Sequence, residues 1–171
     1  MTLESFTSEV LPLKDKLYRY AKSILDNADL AKDVVQETML KVWEKRNDTN
    51  TIKNIEAWCM TVARNCALSR YRLKDNQHSN LEFGVDIEEK AITPYEKLER
   101  ADIMSLIDRI VNRLPFKLKE VFQLRDIEGY AYNEICEITG YRLSDVKVCA
   151  LRARKAIKEN LQKIYAYERY G

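Results

Sequence analysis

The chain of 171 residues holds only four glycines, one histidine and four cysteines, and each scarcity removes a class of chemistry. So few glycines leave no Gly-rich loop to cradle a phosphate. His78 stands alone, with no nucleophile-base pattern around it, so an enzyme is not expected. Cys59, Cys66, Cys136 and Cys149 show no CxxC pairing, whereas a zinc site needs clustered ligands and a disulfide needs an oxidising compartment. Each cysteine falls instead in a predicted helix, on or beside its apolar face, where it acts as a small hydrophobe. No metal or cofactor is expected. No apolar run approaches the length of a membrane span, and the N-terminus lacks a basic-then-apolar leader pattern. No membrane insertion is expected, and the expected location is the cytoplasm. Strand-like alternation is missing as well.

What remains is helical periodicity almost throughout. Leu11 to Leu25 reads as a first helix, with Leu17, Ala21, Ile24 and Leu25 inward. Asn27-Ala28-Asp29 is a turn whose side chains cap a second helix from about Leu30 to Lys45, its buried side near Val34, Val35, Thr38, Met39 and Val42. A polar loop, Asn47 to Asn54, leads to a third helix over about Ile55 to Leu73, burying Trp58, Val62, Cys66 and Ser69. Periodicity is lost from Lys74 to about Pro94. It returns over Tyr95 to Arg113, from Leu114-Pro115 to about Asp126, over Ala131 to Ile138, and from Leu143 to Tyr165. The expected fold is therefore all-α: two small helical domains, residues 1–76 and 95–171, joined by a flexible acidic linker over 77–94. The C-terminal domain reads as a helix-turn-helix.

The net charge of +2 is unevenly spread. Tyr141 to Gly171 carries eight Lys/Arg against three Asp/Glu, whereas Ser79 to Asp102 carries three against seven. A basic tail beside an acidic middle fits local attraction to nucleic acid. In the last helix Val146, Ala150, Ala153, Ile157, Leu161 and Ile164 form one apolar stripe, and Lys147, Leu151, Arg154, Lys155 and Lys158 lie opposite. Such a helix suits major-groove insertion. An ordinary solvated, Lys-rich surface helix would read the same way. In the third helix, Arg64, Asn65, Arg70, Arg72 and Lys74 gather beside Trp58 and Tyr71, a mixture that can hold a strand backbone and stack an unpaired base. Trp58 as simple core is the competing reading.

Several motifs together carry a resemblance. Asp33-Val34-Val35-Gln36-Glu37-Thr38 with Lys41-Val42-Trp43, then Asn54-Ile55-Glu56-Ala57-Trp58 running into Val62-Ala63-Arg64-Asn65, are similar to extracytoplasmic-function (ECF) sigma factors of the sigma-70 superfamily. Leu114-Pro115, Glu120-Val121-Phe122, Glu128-Gly129-Tyr130, Glu134-Ile135, Gly140, Val146-Lys147 and Arg152-Ala153-Arg154-Lys155 resemble the family's region four. The likeness runs in order from about Leu11 to Leu161.

The resemblance implies a dissociable initiation subunit of bacterial RNA polymerase, with core polymerase and promoter DNA as partners and an anti-sigma factor as an expected third. Asp33, Gln36, Glu37 and Trp43 would belong to the core-binding region, Trp43 serving more as domain core than as a direct contact. Around the minus-ten element, where such domains capture a flipped base, the expected residues are Asn50, Lys53, Asn54, Arg64, Asn65, Arg70 and Arg72. At the minus-thirty-five element they are Arg142, Lys147, Val148, Leu151 and Arg152, with Arg154 and Lys155 near phosphates. Glu82, Asp86, Glu88 and Glu89 would act as an acidic insert in a basic polymerase channel; a plain polar tether is the simpler account.

The sequence departs from the family pattern in two places. Ser69 stands where relatives often have Asp. Val148 and Cys149 stand where many have Ser and Arg, and Leu151 replaces a polar or aromatic residue. Losing an arginine contact to guanine removes about 1–3 kcal/mol of base discrimination, whereas apolar Val148 and Leu151 offer contact to thymine methyls or to another protein instead. Weak or AT-biased duplex recognition is therefore expected, with promoter choice leaning on the first domain or on an additional recruiting protein. Two rival classes stay open: a free-standing dimeric helix-turn-helix regulator, which leaves the N-terminal motifs unexplained, and a nucleic-acid enzyme, which needs a carboxylate or metal cluster the sequence does not offer.

Overall fold

The computed structural model describes residues 1–48, 52–75 and 103–170. Asn50, the expected linker over 77–94 with its acidic residues, and residues 95–102 lie outside the described residues. Three long helices make the N-terminal unit: α1 (Lys14–Leu25), α2 (Ala28–Glu44) and α3 (Ile55–Asp75). Short helical turns precede them, and Pro12 stands in the last of these, where its missing N–H costs nothing. α1 stops at Asp26, whose φ of 47° is left-handed, and Asn27 then caps α2 by accepting the Leu30 N–H at 2.9 Å. The expected Asn27 cap is thus realised, but Ala28 and Asp29, expected in the turn, already belong to α2. α3 is capped alike, Asn54 accepting the Ala57 N–H at 3.0 Å.

The core of this unit is a three-way meeting of Leu17, Tyr20 and Ile24 from α1, Ala31, Val34 and Val42 from α2, and Met60, Ala63 and Ala67 from α3. Small residues on α3 let the helices approach closely. One sequence expectation fails here. Ser69 is exposed, and Trp58 and Val62 are only partly buried; Ala57, Met60, Ala63 and Ala67 take the inner face instead. A periodic reading weighted towards bulky side chains overlooks a stripe made of alanines.

The C-terminal unit contains α4 (Ile103–Asn112), α5 (Phe116–Phe122) prolonged by a wider turn over Gln123–Ile127, α6 (Tyr132–Thr139) and α7 (Leu143–Tyr170). α6 ends on Gly140 at φ 75°, a left-handed position that glycine takes without strain. That reversal launches α7 and completes the helix-turn-helix. Val146, Ala150, Ala153 and Ile157 face inward, and Leu106, Ile110 and Val111 of α4 pack on the later part of this stripe. No strand occurs among the described residues.

The two units are not beads on a string. α3 packs along α6, and Leu118, Val121, Ile135, Ile138 and Val146 join the same buried cluster as Leu17 and Met60.

Candidate functional site

Polar groups line the seam between the units. Glu120 of α5 is 2% exposed. It accepts from the Tyr20 hydroxyl at 2.7 Å, the Tyr141 hydroxyl at 2.6 Å, and the Arg64 guanidinium at 2.7 and 3.2 Å. The Arg64 guanidinium also lies 5.4 Å from the Tyr141 ring centre. Burial opposes the charge on Arg64, but the Glu120 carboxylate outweighs it and holds Arg64 more firmly protonated than usual. Burial, followed by the same carboxylate, raises the pKa of the Tyr20 and Tyr141 hydroxyls, so both remain donors.

Two further carboxylates cross the seam. Glu128 takes both arms of Arg19 at 2.8 and 2.7 Å, with Gln123 donating at 3.1 Å. Glu134 accepts from the Asn54 amide at 3.3 Å while capping its own helix through the Ala131 N–H. In the other direction, the Tyr130 hydroxyl donates to Glu56 of α3 at 2.7 Å, as does Lys16.

The cluster foreseen on α3 is thus divided three ways. Arg64 turns to Glu120, and Asn54 meets Glu134. Arg70 turns to α2, where it pairs with Glu37 at 2.8 Å and Asp33 at 3.5 Å. Among the described residues of the expected single-strand set, Lys53, Asn65 and Arg72 remain exposed. Asn65 and Arg72 share one helix face with Ser69 and, a turn and more earlier, the half-buried Trp58.

On α2, Asp33 and Gln36 are exposed and Glu37 is partly covered. Lys41, then Arg70, lower the Glu37 pKa to about 2. Trp43, expected as domain core, is instead half-buried and outside the buried cluster, its ring edge-on to Phe6 at 5.3 Å and covered by the Arg46 guanidinium at 4.7 Å. Sequence reasoning missed Leu40. It is 56% exposed and lies one turn beyond Gln36 on the same face; the available signal was an apolar residue interrupting a polar stripe.

Arg142, just before α7, and Lys147, Val148, Leu151, Arg152 and Lys155 on it all face solvent. Arg154 does too, but Asp126 binds it at 2.6 to 3.2 Å through two nitrogens, so it braces α7 against the turn after α5. Cys149 is a correction. The resemblance aligned it with an outward-reading arginine, yet it is buried on the inner face, where an arginine side chain has no room to reach DNA. All four cysteines are free, with Cys136 partly buried and the others buried. Burial raises the Cys59 pKa to about 12. Among the described residues no His/Cys/Asp/Glu group could hold a metal ion, and no helix is long and apolar enough to cross a membrane.

Comparison with known families matches residues 10–77 to sigma-70 region 2 and residues 104–157 to sigma-70 region 4. Among characterised proteins, the chain is 28% identical over 167 residues to the RNA polymerase sigma factor YlaC of Bacillus subtilis, covering 91% of this chain and 95% of that one. It is 23% identical over 168 residues to the ECF sigma factor SigW of the same organism, covering 93% and 90%. Among solved structures it is similar to the sigma factor RpoE of Bartonella quintana in complex with the anti-sigma factor NepR. There the TM-score is 0.73 at 28% identity, over 94% of this chain and 98% of that one.

Proposed function

The chain belongs to the sigma-70 family of RNA polymerase initiation factors, in its extracytoplasmic-function branch, and from that premise we propose how its surfaces divide the work. The protein binds core polymerase and directs promoter recognition, melting and initiation; it is a binding subunit, and chemistry belongs to the polymerase. The exposed face of α2, with Asp33, Gln36 and Leu40, docks on the core, and Glu37 shapes that face through its pairs with Lys41 and Arg70. A mixed polar and apolar helix face suits such an interface. Asn65 and Arg72, with Lys53, hold the single strand of the minus-ten element. Arg142, Lys147 and Arg152 place α7 in the upstream duplex, with Lys155 on phosphate. An anti-sigma protein covering both units is the expected antagonist, in the cytoplasm where the polymerase works.

The observation that carries this reading is the division of α7 into a buried stripe and an exposed basic face at the second position of a helix-turn-helix. Arg64 and Asn54 join the single-strand surface only when Glu120 and Glu134 release them, so DNA capture and separation of the two units are coupled. Transcription of a promoter library by purified core polymerase, with and without the protein, tests the assignment. Protein-dependent starts sharing two upstream elements are expected, and Gln36→Ala with Leu40→Ala should abolish them without altering the melting temperature. Failure to bind core and to create new starts would return the free-standing duplex-binding regulator to first place.

A further inference from the structure

The helix-turn-helix leaves one face of α7 for a partner, and the base-reading part of that face is largely hydrocarbon. Val148 and Leu151 are 44% and 70% exposed. Three residues apart on a helix, they stand side by side. Exposed Lys147 and Arg152 flank them, and neither makes an ion pair among the described residues. Arg154, the next cation along, is occupied by Asp126. A branched hydrocarbon can neither donate to nor accept from a base edge. In the major groove the feature it complements is the 5-methyl group of thymine. The flanking cations favour a phosphate-lined groove over an apolar protein surface as the occupant.

We propose that Val148 and Leu151 are specificity-determining residues that select thymine in the upstream promoter element through its methyl group. The proposal rests on the assignment of α7 to duplex DNA made above. It narrows the weak or AT-biased recognition expected from the sequence to selective recognition by apolar contact.

A deoxyuridine scan tests it, because uracil differs from thymine by that methyl alone. The full-length protein in holoenzyme is assayed for open-complex formation on a promoter it uses, each upstream thymine being replaced in turn. Loss of about fourfold at one or two positions is expected, the equilibrium ratio corresponding to ~0.8 kcal/mol for one buried methylene-sized group. Val148→Ala and Leu151→Ala, both at exposed sites, should keep the wild-type melting temperature and become indifferent to the same replacements. No responsive thymine, or variants as sensitive as wild type, overturns the proposal. So does an equal loss by the variants on thymine and uracil templates, which would assign the two side chains to a protein contact. Absence of protein-dependent initiation on any template overturns instead the sigma-factor assignment on which the proposal stands.

Discussion

Glu120 concentrates the energetics of the molecule in one side chain. Its carboxylate gathers four hydrogen bonds from Tyr20, Arg64 and Tyr141, and the Arg64 side chain is only 12% exposed. Removing one partner of a buried pair strands the other charge, at a cost of about 3–5 kcal/mol. Glu120→Ala should therefore lower stability by that order in urea unfolding. Arg64→Met combined with Glu120→Leu should cost much less, giving a large coupling energy in a double-mutant cycle. Thr38 offers the opposite case: its hydroxyl is fully buried with no partner among the described residues. Thr38→Val removes that desolvation penalty at constant shape and should raise stability by roughly 1 kcal/mol, read as a higher melting temperature. Neither feature could be seen in the sequence. Glu120 looked like one more charge on an amphipathic helix, because its partners lie 21, 56 and 100 residues away. The candidate site suffered for the same reason: Arg64 and Arg70 were legible as a basic cluster, but not as groups already held by carboxylates.

At the scale of elements the sequence was far more informative, because helix boundaries are written locally. Asn27, Asn54 and Gly140 mark ends that the structure reproduces within a few residues, and the apolar stripe of α7 from Val146 to Ile157 faces inward as its period requires. What local pattern could not give was the tie between α2 and α3, formed by Glu37 and Asp33 with Arg70, beside the Glu37–Lys41 pair within α2. The hydrogen bonds from Lys41 and then Arg70 take Glu37 from its ordinary 4.5 to about 2. A depressed carboxylate stabilises the fold fully above its unfolded value and loses that contribution as pH falls through its folded one. Thermal unfolding followed across pH 4.5 to 2 should therefore show a stability loss that Glu37→Gln flattens. Added salt should shrink the difference, since the pair is partly open to water.

For the whole molecule, the decisive fact is that Arg64 and Asn54, two of the groups proposed to hold DNA, are partnered by carboxylates of the other unit. Sequence reading supplied two domains and left their relation open, since seam contacts have no periodic signature. Arg19→Ala with Tyr20→Phe deletes bonds to Glu128 and Glu120 without touching any proposed DNA or polymerase contact. The double variant should show a larger radius of gyration in small-angle scattering and tighter binding to a minus-ten single strand. An unchanged radius would assign the cohesion to the shared apolar cluster alone. The seam also sets an exchange rate between conformation and affinity. If closure is favoured by about 2.7 kcal/mol, roughly one molecule in a hundred is open, and every ligand of the open form binds about a hundredfold more weakly than its intrinsic constant. The minus-ten single strand then competes with an internal ligand whose concentration never dilutes. Sequence drift at Glu120 or Arg19 would retune the threshold at which this factor enters transcription while leaving its promoter preference intact.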